Sequence, residues 1–115
     1  MASDCLFCKI ALGTISANVV YQDDQVLAFR DINPVAPTHI LIIPRRHIAG
    51  LAEAGTGEQA LLGALLLAAS QLARDEGLVE GGYRVVTNTG PNAGQSVPHL
   101  HFHLLGGRSM HWPPG

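Results

Sequence analysis

The sequence predicts an α+β fold: one domain built on a five-stranded antiparallel sheet with two helices. Three observations lead there. Two short β-prone runs flank the turn residues Asp23-Asp24, the pattern of a hairpin. One long apolar run in the middle of the chain has the length of a helix. And His99-Leu100-His101-Phe102-His103-Leu104-Leu105 alternates polar and apolar residues, the period of a strand.

The elements follow in chain order. Cys5 to Leu12 carries Leu6 and Ile10 at helical spacing and is stopped by Gly13, with Asp4 as the expected N-cap. Val19–Tyr21 and Val26–Phe29 form the hairpin, and Asp31–Thr38 is a loop carrying Pro34 and Pro37. His39–Ile43 is rich in β-branched residues and ends at Pro44, which marks a buried strand. Thr56-Gly57-Glu58-Gln59 has the form of a capping box, with Thr56 as N-cap and Gln59 reaching back. The helix it opens runs to about Glu76 and stops at Gly77. Leu61, Leu62, Leu65, Leu66, Leu67, Ala68, Ala69 and Leu72 make it apolar almost all round. One small sheet covers only one side of such a helix, so a partner subunit is expected on another. Tyr83–Asn88 is a further strand, Thr89–Pro98 a Gly- and Pro-containing loop, and the histidine segment the last strand.

Bulk composition narrows the function. A length of 115 residues suits a single domain spanning 1–115, and 47% hydrophobic content is ample for a core. The net charge is -2 and the seven Lys and Arg are scattered, which disfavours nucleic-acid binding. The start, Met1-Ala2-Ser3-Asp4, is polar and unlike a secretory leader. The longest apolar stretch, Ala60–Ala69, is well short of the ~20 residues of a membrane span. A cytoplasmic protein that does not enter a membrane is therefore expected. The two cysteines, Cys5 and Cys8, are too few and too close for a disulfide framework. Their C-x-x-C spacing at the N-terminus, with no strand before it, favours a metal half-site over a redox pair.

In an extended segment His99, His101 and His103 share one face, and Leu100, Phe102 and Leu104 the other. His99 and His103 would lie ~13 Å apart, too far to share one ion without a bend, since Zn–N bonds are ~2.0–2.1 Å. A division of labour follows: one end for a metal, the middle and far end for a reaction. A neutral imidazole is a nucleophile towards phosphorus when its other nitrogen is held by an acceptor. Gly94-Gln95-Ser96-Val97, directly before the histidines, offers backbone N–H groups and a hydroxyl for phosphoryl oxygens.

These residues resemble the histidine triad family, in its nucleotide-binding branch. The resemblance spans nearly the whole chain. It rests on His99 to Leu105, Asp31-Ile32-Asn33-Pro34, Ala36-Pro37-Thr38-His39, Ile43-Pro44-Arg45-Arg46-His47, Gly94-Gln95-Ser96-Val97 and the ending Met110-His111-Trp112-Pro113-Pro114-Gly115. It implies a homodimer with a continuous ten-stranded sheet. It also implies a purine nucleoside phosphoramidase that cleaves the P–N bond of adenosine 5'-phosphoramidates. On that resemblance His101 is the nucleophile, His103 contacts the phosphate and leaving group, and His39 orients the middle of the triad. Asn88, Gly94 and Ser96 would hold the phosphate. Asp31 would accept the ribose hydroxyls, where its residue type alone suggests a turn cap. Leu6, Phe7, Ile10, Ile15, Phe29 and Ile32 would wall the purine pocket. Trp112, in a tail of residues 106–115, would reach the partner's active site. Cys5, Cys8, His47 and His99 would form the structural Zn2+ site of the zinc-bearing branch. Ile15-Ser16-Ala17 departs from the Ile-Pro-Ala frequent in the family, which leaves the base preference open, and Arg30 receives no role. His103, water and the substrate's own protonation are all candidates for the leaving amine's proton. The alternatives are a dinucleoside polyphosphate hydrolase or nucleotidyl transferase, and a non-catalytic nucleotide-binding module.

Overall fold

The computed structural model describes residues 4–115, so Met1-Ala2-Ser3 lie outside the described residues. Five strands form one antiparallel sheet: β1 (Val19–Gln22), β2 (Val26–Arg30), β3 (Thr38–Pro44), β4 (Tyr83–Val86) and β5 (Phe102–Gly106). Their order across the sheet is β1-β2-β3-β5-β4. Helix α1 (Leu6–Ala11) and helix α2 (Gln59–Asp75) complete the predicted architecture, with short 3-10 turns at Leu51–Glu53, Thr56–Glu58 and Pro91–Ala93. No described helix is long and apolar enough to cross a membrane.

Strand β3 is buried along its whole length. It lies between β2 and β5, and hydrophobic clusters cover both faces of the sheet, which explains its unbroken apolar run. Ile40, Ile42, Phe102 and Leu104 join Leu65, Ala69 and Leu72 of α2 in one cluster. Leu41, Ile43, Leu27 and Phe29 join Cys5 and Phe7 of the N-terminal segment in the other. Because side chains alternate along β3, each of these clusters takes every second residue of it.

Four boundaries differ from expectation. The N-cap of α1 is Cys5, not Asp4: its Sγ accepts from the Cys8 N–H at 3.4 Å. The cap of the central helix slides back by one residue. Glu58, whose carboxylate reaches the Gly55 N–H at 2.7 Å, ends a 3-10 turn, and α2 begins only at Gln59. Strand β4 stops at Val86, and beyond it the link to the histidine segment is a side-chain one, the Thr87 hydroxyl donating to the His101 carbonyl at 2.8 Å. The last strand begins at Phe102 rather than His99. Residues 99–101 keep the alternation of a strand, but loop partners replace the ladder: Leu100 N–H donates to the Ile48 carbonyl at 2.6 Å.

Helix α2 ends as expected at Gly77, whose φ of +72° suits the left-handed turn. It buries Leu65, Ala69, Leu72 and Ala73 against the sheet. Leu66 and Leu67 remain 49% and 70% exposed, so within one chain the helix is covered on one side only.

Candidate active site and metal centre

The three triad histidines occupy one face of the sheet, beneath α1. Phe7 of α1 packs edge-on against His99 and His101, with ring centroids 5.9 Å and 5.1 Å away. The rings of His101 and His103 are 5.0 Å apart.

The protonation pattern of each ring follows from its fixed partners. His99 Nε2 lies 2.8 Å from the Pro44 carbonyl, which only accepts, so the proton sits on Nε2 and the Nδ1 lone pair is free. His101 Nδ1 lies 2.7 Å from the His99 carbonyl, so here Nδ1 carries the proton and Nε2 the lone pair. His103 is set through His39. The Val35 N–H donates to His39 Nδ1 at 3.1 Å, so a neutral His39 bears its proton on Nε2. That N–H lies 2.9 Å from His103 Nδ1, which must accept, leaving the His103 proton on Nε2. The neighbouring rings of His101 and His103 therefore offer opposite functions: a lone pair and an N–H. His39 thus engages the last histidine of the triad, not the middle one, because its ladder partner is Leu105, which sets it diagonally across from His103, while the His99 carbonyl holds His101.

Burial reinforces neutrality. Burial, then the nearby His101 and His39, holds His103 down at about 4, with Asp31 opposing. Burial also lowers His39, against the pull of Asp31.

A cleft of about 330 Å³ opens onto the rings of His101 and His103. Phe7, Ile10, Phe29 and Ile32 line its apolar part, and Asp31, Ser96, His101 and His103 its polar part. Asp31 divides its oxygens: Oδ1 caps the Asn33 N–H at 2.8 Å, and Oδ2 stands 3.4 Å from His39 Nε2. The turn-cap reading of Asp31 is thus realised while the residue still lines the cleft. Asn88, Gly94 and Trp112 do not line it. Asn88 is half-buried, and Gly94 sits at φ +80° after the Pro91–Ala93 turn. Trp112 is 82% exposed, on a tail fastened by Arg84 to the His111 carbonyl at 2.9 Å.

On the other side of His99 lies the second cluster. The ligand atoms of Cys5, Cys8, His47 and His99 all lie within 4.8 Å of one another. His99 Nδ1 is 3.3 Å from Cys5 Sγ and 3.5 Å from Cys8 Sγ, and His47 Nδ1 is 3.2 Å from Cys8 Sγ. A tetrahedron with the usual Zn–S and Zn–N lengths has S–N edges of about 3.5 Å. The free His99 Nδ1 lone pair, backed by the Pro44 carbonyl, is the arrangement a ligating histidine needs. Donor set and spacing fit zinc. Burial, then the neighbouring Cys5, pushes the Cys8 thiol up to about 11, a charge cost that a bound cation removes.

Three contributors carried no signal in the sequence. The Val35 N–H is a backbone group that any residue but proline would supply there. Gln95 clamps the loop before the triad, donating to the Ala49 and Val97 carbonyls at 2.7 and 3.1 Å and accepting from Gly90 at 3.0 Å. Arg30 forms a two-pronged pair with Glu76, both bonds 3.0 Å, which ties the end of β2 beside Asp31 to the end of α2. That guanidinium holds the Glu76 carboxyl below its usual range.

Comparison with known proteins agrees with this architecture. The HIT domain family matches residues 13–110. The chain is 58% identical over 115 residues to a protein of Synechococcus elongatus described as an uncharacterized HIT-like protein, covering 100% of both. It is 56% identical to the 14 kDa zinc-binding protein of Zea mays, over 98% of this chain and 89% of that one. The crystal structure of a HIT family hydrolase from Legionella pneumophila superposes with a TM-score of 0.95 at 56% identity, covering 96% of this chain and 99% of the other. With the triad on one sheet face and the family match running through it, the chain belongs to the HIT domain family.

Proposed function

We propose that the protein is a purine nucleoside phosphoramidase, hydrolysing the P–N bond of adenosine 5'-phosphoramidates through a nucleotidyl-histidine intermediate. The observation that carries this reading is the pair of opposite tautomers at His101 and His103 on one cleft wall. The apolar walls suit a purine face, and Asp31 suits the ribose hydroxyls as an anionic acceptor.

In the first step His101 Nε2 bonds to phosphorus and the P–N bond breaks. The electron pair leaves on the amine nitrogen, whose proton is carried in on the substrate's own P–N nitrogen or taken from water. The substituted ring is then cationic, and its Nδ1–H bond to the His99 carbonyl becomes charge-assisted. His103 donates Nε2–H to a phosphoryl oxygen, where negative charge sits in the transition state. With its ring held at about 4, His103 is neutral near pH 7 and serves as a hydrogen-bond donor, not as the amine's proton source. Ser96, with Asn88 and the Gly94 turn, is proposed to hold the remaining oxygens. Water then attacks phosphorus, cleaves the N–P bond and releases AMP and free His101.

Cys5, Cys8, His47 and His99 would hold zinc, which when bound cross-links α1 to the sheet. We further propose a cytoplasmic homodimer. The exposed Leu66 and Leu67 of α2 and the edge strand β4 would join two sheets into ten strands. The domain would span the whole chain, with the tail of residues 106–115 placing Trp112 near the partner's cleft.

Turnover of an adenosine 5'-phosphoramidate by wild type and His101→Ala tests the reading. Wild type is expected to turn over, and the variant to lose at least about 10³-fold with no acid-quenched covalent adduct. Equal rates exclude His101 as nucleophile. AMP binding without wild-type turnover favours a binding module instead.

A further inference from the structure

We propose that Phe7 is a positioning residue for the nucleophile, through which the state of the Cys5–Cys8–His47–His99 site reaches His101; this rests on the phosphoramidase reading above.

Helix α1 has six residues, far fewer than the ~12–15 at which an isolated helix becomes marginally stable. Its anchors hold it instead. Cys5 and Cys8 enter the metal cluster, Arg45 donates to the Ala11 carbonyl at 2.8 Å, and Phe7 is 4% exposed. Phe7 lies in the sequence between the two cysteines, so whatever orders them orders its ring.

That ring meets three others edge-on. Its plane stands at 71° to His99, 90° to His101 and 75° to Phe29, with centroids 5.9, 5.1 and 5.5 Å apart. The nucleophile has one hydrogen bond of its own, from Nδ1 to the His99 carbonyl. With the ring tethered at Cβ, that one bond sets its plane, and what remains is a rocking of the ring through coupled changes of χ1 and χ2. The perpendicular edge of Phe7 blocks that rocking and aims the Nε2 lone pair. The His103 ring, 5.0 Å away, flanks His101 as well, but two of its restraints belong to residues on or between metal ligands: the carbonyl to His99, the ring edge to Phe7. The same helix supplies Leu6, Phe7 and Ile10 to the cleft wall. Zinc, nucleophile and bound nucleotide therefore share one short element.

Zinc-loaded wild type and Phe7→Leu, which keeps an apolar side chain but removes the ring edge, are compared with an adenosine 5'-phosphoramidate. The variant is expected to keep one zinc per chain and to lose about tenfold in kcat, more than it gains in KM, since misaimed reacting atoms slow the bound step. A rise in KM alone makes Phe7 a plain pocket wall and overturns the inference. The second readout needs no turnover. Coupling between two sites is reciprocal, so AMP should strengthen zinc retention against a chelator several-fold in wild type and much less in Phe7→Leu. Zinc retention indifferent to AMP overturns the inference, as does the same AMP effect in both proteins. A zinc-loaded wild type without turnover fells the functional reading and this inference with it. Normal wild-type turnover with an unchanged kcat in the variant fells this inference alone.

Discussion

His39 donates from Nε2 to Nδ1 of His103 across 2.9 Å, and the Val35 N–H behind His39 dictates the direction of that bond. The far nitrogen of His103 is thereby committed as a donor. A backbone amide, two imidazoles and the cleft form a single polarised line.

Replacing His39 by Ala removes the middle of that line. His103 then samples both tautomers, and its Nε2 no longer always carries the proton. The expected result is a kcat about 10–100-fold lower with KM nearly unchanged, the size typical of losing a group that orients a functional imidazole. Steady-state kinetics on His39→Ala checks it. A KM effect alone would place His39 in ground-state binding.

Acid should destabilise the fold through His103. Its pKa in the folded protein, about 4, lies below the ordinary 6.5. Between those values the unfolded chain binds a proton that the folded chain refuses, so stability rises with pH in that window. The contribution is complete above pH 6.5 and is lost as pH falls towards 4, on the order of 3 kcal/mol. His39 is lowered by burial too and acts in the same direction. Thermal melts of His103→Asn should show a flatter decline between pH 6.5 and 4 than wild type. Parallel curves would sink the assignment.

Metal removal should loosen the N-terminal helix before the sheet. Protein purified without added zinc is expected to hold close to one zinc per chain. Chelation, or Cys8→Ser, is expected to lower Tm by about 10 °C, since binding free energy at a structural site is folding free energy. Amide exchange should accelerate first in residues 6–11. Metal near zero with an unchanged melt would refute the site.

Two leucines of α2 should separate folding from assembly. Leu65 is fully buried in the core, so Leu65→Ala is expected to cost about 3–5 kcal/mol in denaturant unfolding. Leu67 is 70% exposed, and Leu67→Asp should leave the secondary structure intact. On the proposed homodimer it should shift the protein to monomer in sedimentation. An unchanged mass would move the interface off this helix.

Much of this was legible in the residues. The alternation from His99 to Leu105 assigned the two faces correctly, because side-chain direction depends on extended backbone and not on ladder pairing. The unbroken apolar run of β3 announced burial on both faces. Cap positions were less legible: Cys5 displaced Asp4 because a thiol already gathered with its cluster accepts the Cys8 N–H. Arg30 gave no sign of Glu76, its partner 46 residues away.

By itself the sequence determined which chemistry is present: three imidazoles on one face, two thiols and a fourth imidazole to join the first of them, and a glycine-containing loop beside them. Only the tertiary structure decided which nitrogen of each imidazole carries the proton. Ring tautomers are set by the partners of the second nitrogen, and here those are the Pro44 and His99 carbonyls and the Val35 amide. Apart from the N–H that proline lacks, backbone groups are the same in every residue, so their identity writes almost nothing into the sequence. Their positions exist only once β3, β5 and the segment between β2 and β3 have come together.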